Sequence, residues 1–269
     1  MQVGTIRRSP SRSSEQPNPM HEKTTIEVRV IAAGGKFLGN DIGGAEVTVR
    51  DAVTGELVAS GRVRGDSGVT GEIMGQPRPW GTPVPVAQSS VFTFTVELDQ
   101  PRLLDVAAYG PLGSLQSARC ATVQQWVAPG MSLQGEQGVQ VVIPGQLVEI
   151  VEPATHTGLS APGPVTIRAN VGMMCGCPLA DPGPNAPAPW PQDEFTVTAL
   201  VYELAEGPPR RVDTVPLPYA GTPSQFQAEW TMPAAGFYEI AVVARQKATS
   251  NTGVDRATVF CLPPSPPAG

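Results

Sequence analysis

The stretch Val165-Thr166-Ile167-Arg168-Ala169-Asn170-Val171-Gly172-Met173-Met174-Cys175-Gly176-Cys177-Pro178 sets apolar residues at every second position before it runs into sulfur. Residues two apart on an extended strand share a face, so Val165, Ile167, Ala169 and Val171 make one buried stripe. Met173, Cys175 and Cys177 continue that parity, and Met174 points the other way. An amphipathic helix would repeat its apolar positions at three and four residues instead. The stretch is a β-strand whose core stripe ends in two thioethers and two thiols.

The same period-two reading extends in both directions. Thr25-Ile26-Glu27-Val28-Arg29-Val30 buries Ile26, Val28 and Val30, and Val47 with Val49 repeats the pattern. Thr54-Gly55 turns the chain, and Leu57-Val58 starts a return strand. Further strands are expected at Phe92 to Leu98, Leu104 to Ala108, Cys120 to Val127, Val139 to Ile143 and Leu147 to Val151. Gly71 to Gln88 reads as a long loop. After the strand at Val165, others follow at Phe195 to Val201, Arg211 to Leu217, Phe226 to Trp230, Tyr238 to Ala244 and Ala257 to Cys261, with a Pro-rich loop over 178–191. No helix is expected. The reading is an all-β protein of two consecutive β-sandwich domains with disordered termini. Its parts are a disordered tail (1–23), a first sandwich (24–152), a linker (153–164), a second sandwich (165–262) and a Pro-rich tail (263–269).

Composition agrees. A chain of 269 residues fits two domains. Its 30 Pro and 29 Gly make about a fifth of the residues, without a period, which suits many short strands joined by turns and excludes collagen. A net charge of −6 with no basic cluster argues against a nucleic-acid partner. No apolar run approaches the roughly 18 residues of a membrane span, so no membrane insertion is expected. Residues 1–23 carry Arg7, Arg8 and Arg12 but no apolar segment of a signal peptide, and Met20 is an alternative start to Met1. Read literally, that places the chain in the cytoplasm.

Two resemblances bear on fold and role. Gly44-Ala45-Glu46-Val47-Thr48-Val49-Arg50-Asp51, with Thr54-Gly55-Glu56 and Gly65-Asp66-Ser67-Gly68, resembles the opening of carboxypeptidase-regulatory or transthyretin-like (prealbumin-like) β-sandwich modules over residues 24–72. Gly236-Phe237-Tyr238-Glu239-Ile240-Ala241-Val242, followed by Ser250-Asn251-Thr252-Gly253-Val254-Asp255, is similar to the last hairpin of bacterial immunoglobulin-like domains over residues 235–262. Both imply scaffolding, adhesion or spacing roles and no catalytic residue. Such modules are more common outside the cytoplasm, which conflicts with the missing signal segment and leaves the compartment open. Tyr238 resembles the tyrosine of the immunoglobulin corner motif, a hydrogen-bonding role.

In immunoglobulin-like folds the first strand, or its second half, can pair parallel with the last. Cys261 shares a face with Ala257 and Val259, so that pairing would bring it to Cys175 and Cys177. Two readings stay open. In the structural one, Cys261 bridges Cys175 or Cys177 in a disulfide, or the thiols stay reduced in the core. In the other, Met173, Cys175, Cys177 and Cys261 hold Cu(I), since thiolate and thioether sulfurs select a soft ion. Zinc is disfavoured with only three converging Cys, and thioredoxin-like chemistry by the C-x-C spacing. Cys120 is expected to be a buried free thiol.

Gly65-Asp66-Ser67-Gly68 matches the string around the nucleophile of chymotrypsin-like proteases, but a serine nucleophile needs a base. His21 and His156 fall in the tail and the linker, and turn chemistry explains the string. Asn40-Asp41 and Asn251 to Asp255 offer loop-tip oxygens without an EF-hand pattern. Among Trp80, Trp126, Trp190 and Trp230, at least one is expected to fill each core. The expectation is a non-enzymatic structural or binding module, associated with the cell envelope or a larger assembly. Its partners would be other protein subunits, further copies of itself included. The alternative is a Cu(I)-binding protein.

Overall fold

The computed structural model describes residues 21–75, 77–79, 81–160, 162–183 and 188–262, with backbone alone at 261 and 262. The tails expected to be disordered lie almost wholly outside these residues. The first eight strands are β1 (Glu22–Ala32), β2 (Glu46–Asp51), β3 (Leu57–Arg62), β4 (Arg64–Ser67), β5 (Ser89–Leu98), β6 (Arg102–Gly110), β7 (Arg119–Val127) and β8 (Val139–Ile143). They form two four-stranded sheets of order β4-β5-β1-β8 and β3-β2-β6-β7. The outer strand β8 lies parallel to β1, Val28 opposite Val139 and Ala32 opposite Ile143. Ile26, Val28 and Val30 face Val47, Val49, Leu104, Val106 and Ala108 across the core, all essentially inaccessible to water.

The other strands are β9 (Gln146–Glu152), β10 (Thr157–Ser160), β11 (Gly163–Met173), β12 (Phe195–Glu203), β13 (Arg210–Pro216), β14 (Gln225–Met232), β15 (Gly236–Gln246) and β16 (Thr252–Leu262). They form a three-stranded sheet, β14-β11-β9, and a five-stranded sheet, β10-β16-β15-β12-β13. This is an immunoglobulin-like sandwich whose first strand is split between the two sheets. Its first half, β9, pairs with β11, and its second half, β10, runs parallel to β16. Trp230 and Tyr238 meet edge to face in the core at 5.5 Å, and the Tyr238 hydroxyl donates to the Ala234 carbonyl.

Several expectations need correction. The strand Leu147 to Val151, assigned to the first sandwich, pairs with β11 instead. The stretch 153–164, read as a linker, contains β10. The strand at Val165 is therefore the second of its sandwich. A one-turn helix, α1 (Thr70–Met74), interrupts the expected loop. Cys120 is exposed, because Ala121, Val123 and Val127 take the inward parity of β7. Trp126 shares the outward parity and is 63% exposed, whereas Trp190 and Trp230 are buried; Trp80 lies outside the described residues.

Candidate functional site

β11 delivers the sulfur run to a tight reversal. The Gly176 N–H donates to the Met173 carbonyl at 2.8 Å, and the Met173 N–H donates to the Cys177 carbonyl at 2.9 Å. The loop is thus three residues, Met174-Cys175-Gly176, with Gly176 at φ +82° in the left-handed region that a bulged hairpin turn requires. A three-residue turn folds the chain back so tightly that Cys175 and Cys177 place their sulfurs 3.1 Å apart. Both are free thiols.

Met174 and Cys175 of this turn are buried where the two sandwiches meet, and Gly176 is exposed. Met173, Met174 and Cys175 have no accessible surface, and Cys177 is half-buried. The Cys175 sulfur accepts the Lys36 N–H at 3.4 Å and lies under Gly35, where a Cβ would stand 3.2 Å from it. The Met173 methyl packs toward Gly34, 3.8 Å from a Cβ built there. Met174 does point the other way, but its methyl meets Gly145 on the connection between β8 and β9. The Gln146 amide, paired in register with Met173, is buried without a protein partner for its nitrogen or its oxygen.

Polar contacts join the same surfaces. The Trp190 indole N–H donates to the Gly34 carbonyl at 2.8 Å. Asn251, in the β15–β16 turn, accepts the Gly145 N–H at 2.6 Å and donates to the Gly145 carbonyl at 2.8 Å and the Ala33 carbonyl at 3.4 Å. A cavity of about 470 Å³ lined by Ala33, Gly34, Arg119, Gly145, Gln246 and Asn251 runs beside this clamp. A second, about 270 Å³, opens on the Gly176 side against Ile42 and Ser224.

The hydrogen bond from Cys177 to Cys175 sets the two thiols apart. The Cys175 thiol is pulled down to about 7, first by the hydrogen bond from Cys177, against burial, and further by the Lys36 N–H. Cys177 is pushed up, because it is the donor that a Cys175 thiolate keeps and because it too is buried. The hydrogen bond between them thus favours ionisation of Cys175 over Cys177.

Cys261 stands elsewhere. Its backbone pairs with Gly236 and with Leu159, near the end of β16, while Asn251 and Thr252, at the start of that strand, touch the surfaces around the sulfur turn. Nine residues of strand at about 3.3 Å each separate the two ends by about 30 Å. The parallel neighbour of β16 is β10, not β11, so the expected delivery of three sulfurs to one place does not occur along this route. Among the described residues no group of three His, Cys, Asp or Glu is placed to hold a metal ion.

The other loop-tip signals have structural roles. The Asp255 carboxylate accepts the Ile150 N–H at 2.8 Å. His156 packs against Phe260 in the second sandwich, ring centroids 5.2 Å apart and tilted by 52°, whereas Ser67 lies on β4 of the first, its carbonyl accepting the Phe37 N–H. No helix among the described residues is long and apolar enough to cross a membrane. What sequence reasoning missed is the meeting surface itself, for which the doublet Gly34-Gly35 was the available signal: its bare backbone is what the sulfur turn packs against.

No protein-family model matches the chain, and no curated protein matches it. Solved structures similar to it include fibronectin(III)-like modules of Clostridium thermocellum CbhA, 14% identical over 90% of this chain and 94% of that one, with a TM-score of 0.29. The ICAM-5 D1–D4 ectodomain fragment is 14% identical over 90% of this chain and 50% of its own, with a TM-score of 0.25. An engineered protein is 19% identical over 49% of this chain and 25% of its own, with a TM-score of 0.30. The chain thus spans half or less of the last two. At these scores the likenesses carry nothing about activity, and the fold rests on the strand order described above.

Proposed function

We propose that the chain is a non-enzymatic structural or binding module of two β-sandwiches, residues 24 to about 144 and about 145 to 262, held in a fixed relation by the sulfur turn and the Asn251 clamp. The supporting observation is that the most reactive side chains, Cys175 and Cys177, serve as packing surface at the junction rather than lining an open cleft. Partners would be protein subunits, further copies included, docking on open sheet edges. The outer edge β7 is nine residues long and carries no charge after Arg119, unlike β13 with Arg210, Arg211 and Asp213. Envelope or assembly association is tested by fractionating cells that express the full chain. Recovery in a sedimenting envelope or high-mass fraction supports the reading, and recovery only as free monomer contradicts it.

A second reading, Cu(I) binding, is favoured by one observation: Met173 and Cys175 face the same Gly34-Gly35 turn, and Cys177 stands 3.1 Å from Cys175. Those three residues would hold the ion without Cys261. One Cu(I) retained per chain against a competing chelator, and lost in Cys175→Ser/Cys177→Ser, supports it; no uptake rules it out.

A further inference from the structure

We infer that Cys175 and Cys177 form an oxidation site at the junction, closing to a disulfide under hydrogen peroxide and thereby loosening the contact between the two sandwiches. The inference rests on the junction geometry, not on the identity of any partner or on copper binding. Three observations carry it. The two sulfurs already stand 3.1 Å apart on a three-residue turn, so bond formation needs a shift of about 1 Å toward a disulfide length near 2.05 Å. Gly35 meets the Cys175 sulfur with backbone alone, so a small movement of the sulfur meets no side chain at that position. Exposed Gly176 and half-buried Cys177 open one side of the turn, beside the cavity of about 270 Å³, and a small local movement there brings the covered Cys175 sulfur into reach of a molecule close to water in size.

The chemistry balances. The Cys175 thiolate attacks one peroxide oxygen, the O–O bond breaks, and hydroxide leaves and is protonated to water, giving a sulfenic acid. The Cys177 sulfur then attacks the Cys175 sulfur. The S–O bond breaks, and hydroxide takes the Cys177 proton and leaves as a second water. Two thiols lose two electrons and two protons, and one peroxide is reduced to two waters. The Cys175 sulfur that accepts the Lys36 N–H at 3.4 Å is thereby drawn toward Cys177 and away from that donor. Oxidation thus breaks the hydrogen bond from the N–H of Lys36, the residue following Gly35 and next to the Trp190–Gly34 bond.

The test uses the full chain with Cys120→Ser and Cys261→Ser, which leaves only the pair. One equivalent of hydrogen peroxide should take the folded protein from two titratable thiols to none. Peptide mapping should find an intrachain 175–177 link reversed by dithiothreitol. Tryptic cleavage after Lys36 should become several-fold faster, and Trp190 emission should shift to the red. Adding Cys177→Ser should stop the reaction at a sulfenic acid trapped by dimedone, and adding Cys175→Ser should leave Cys177 unoxidised over the same time. The inference is overturned if both thiols persist under peroxide in the folded protein but oxidise in urea, if the products are chiefly intermolecular, or if the linked form is cleaved after Lys36 no faster than the reduced one. The parent protein alone decides the first and third of these, whatever the serine variants do to folding.

Discussion

Replacing Asn251 with Ala should weaken the whole fold rather than a loop, and the size of the effect follows from its contacts. The side chain makes two short hydrogen bonds to Gly145, accepting its N–H and donating to its carbonyl, and a longer one to Ala33. Each well-formed bond contributes about 1 kcal/mol net, and burying an orphaned partner adds about 1–3 kcal/mol. Gly145 is buried, so the orphan penalty applies, but the adjoining cavity of about 470 Å³ admits water to Gly145 and limits it. The expected loss is therefore about 2–3 kcal/mol, well above the ±0.5 kcal/mol of an ordinary surface substitution. Urea unfolding followed by tryptophan fluorescence measures it as a lower midpoint at unchanged slope. A loss below about 0.5 kcal/mol would refute the clamp, and with it the claim that the sandwiches are held in one relation.

Two further outcomes follow from the sulfur turn. Gly35→Ala sets a methyl 3.2 Å from the Cys175 sulfur and 3.1 Å from the Ala32 Cβ at a backbone position without positive φ, so crowding alone should cost about 1–3 kcal/mol. That cost should shrink in a Cys175→Ala background, a non-additivity measurable by a double-mutant cycle in urea. Stability should also rise between about pH 7 and pH 9, because the folded Cys175 thiol ionises at about 7 and the unfolded one near 9.0. Above that window the trend should reverse, since Cys177 stays protonated in the fold but ionises when unfolded. Unfolding midpoints across that range check both limbs, and Cys177→Ala should flatten the rise by removing the donor to Cys175.

The strands were legible in the residues because alternation is local. Val165 to Met173 on β11 and Ile26 to Val30 on β1 bury the residues their parity marks. Pairing partners were not legible, because Leu147 to Val151 has the same alternation whichever sheet receives it. Assigning that strand to the first sandwich made β11 look like a first strand and drew Cys261 toward Cys175. Cys120 went astray for a related reason: β7 is apolar at both parities, and Val127 decides which side is inward. The chemical character of the Met173 to Cys177 run was legible, whereas its burial against Gly34 and Gly35 depends on contacts across about 140 residues of chain, such as Lys36 to Cys175.

The central claim is that Cys175 lies against the first sandwich at Gly35. Introducing Gly35→Cys into a chain carrying Cys120→Ser, Cys177→Ser and Cys261→Ser tests it most directly. The Cβ built at 35 stands 3.2 Å from the Cys175 sulfur, a separation a disulfide spans. Mild oxidation should join residue 35 to residue 175 within one chain in high yield, seen as a single cross-linked peptide that reduction releases. Two free thiols after oxidation, or cross-links only between chains, would show that the sandwiches do not meet at this turn.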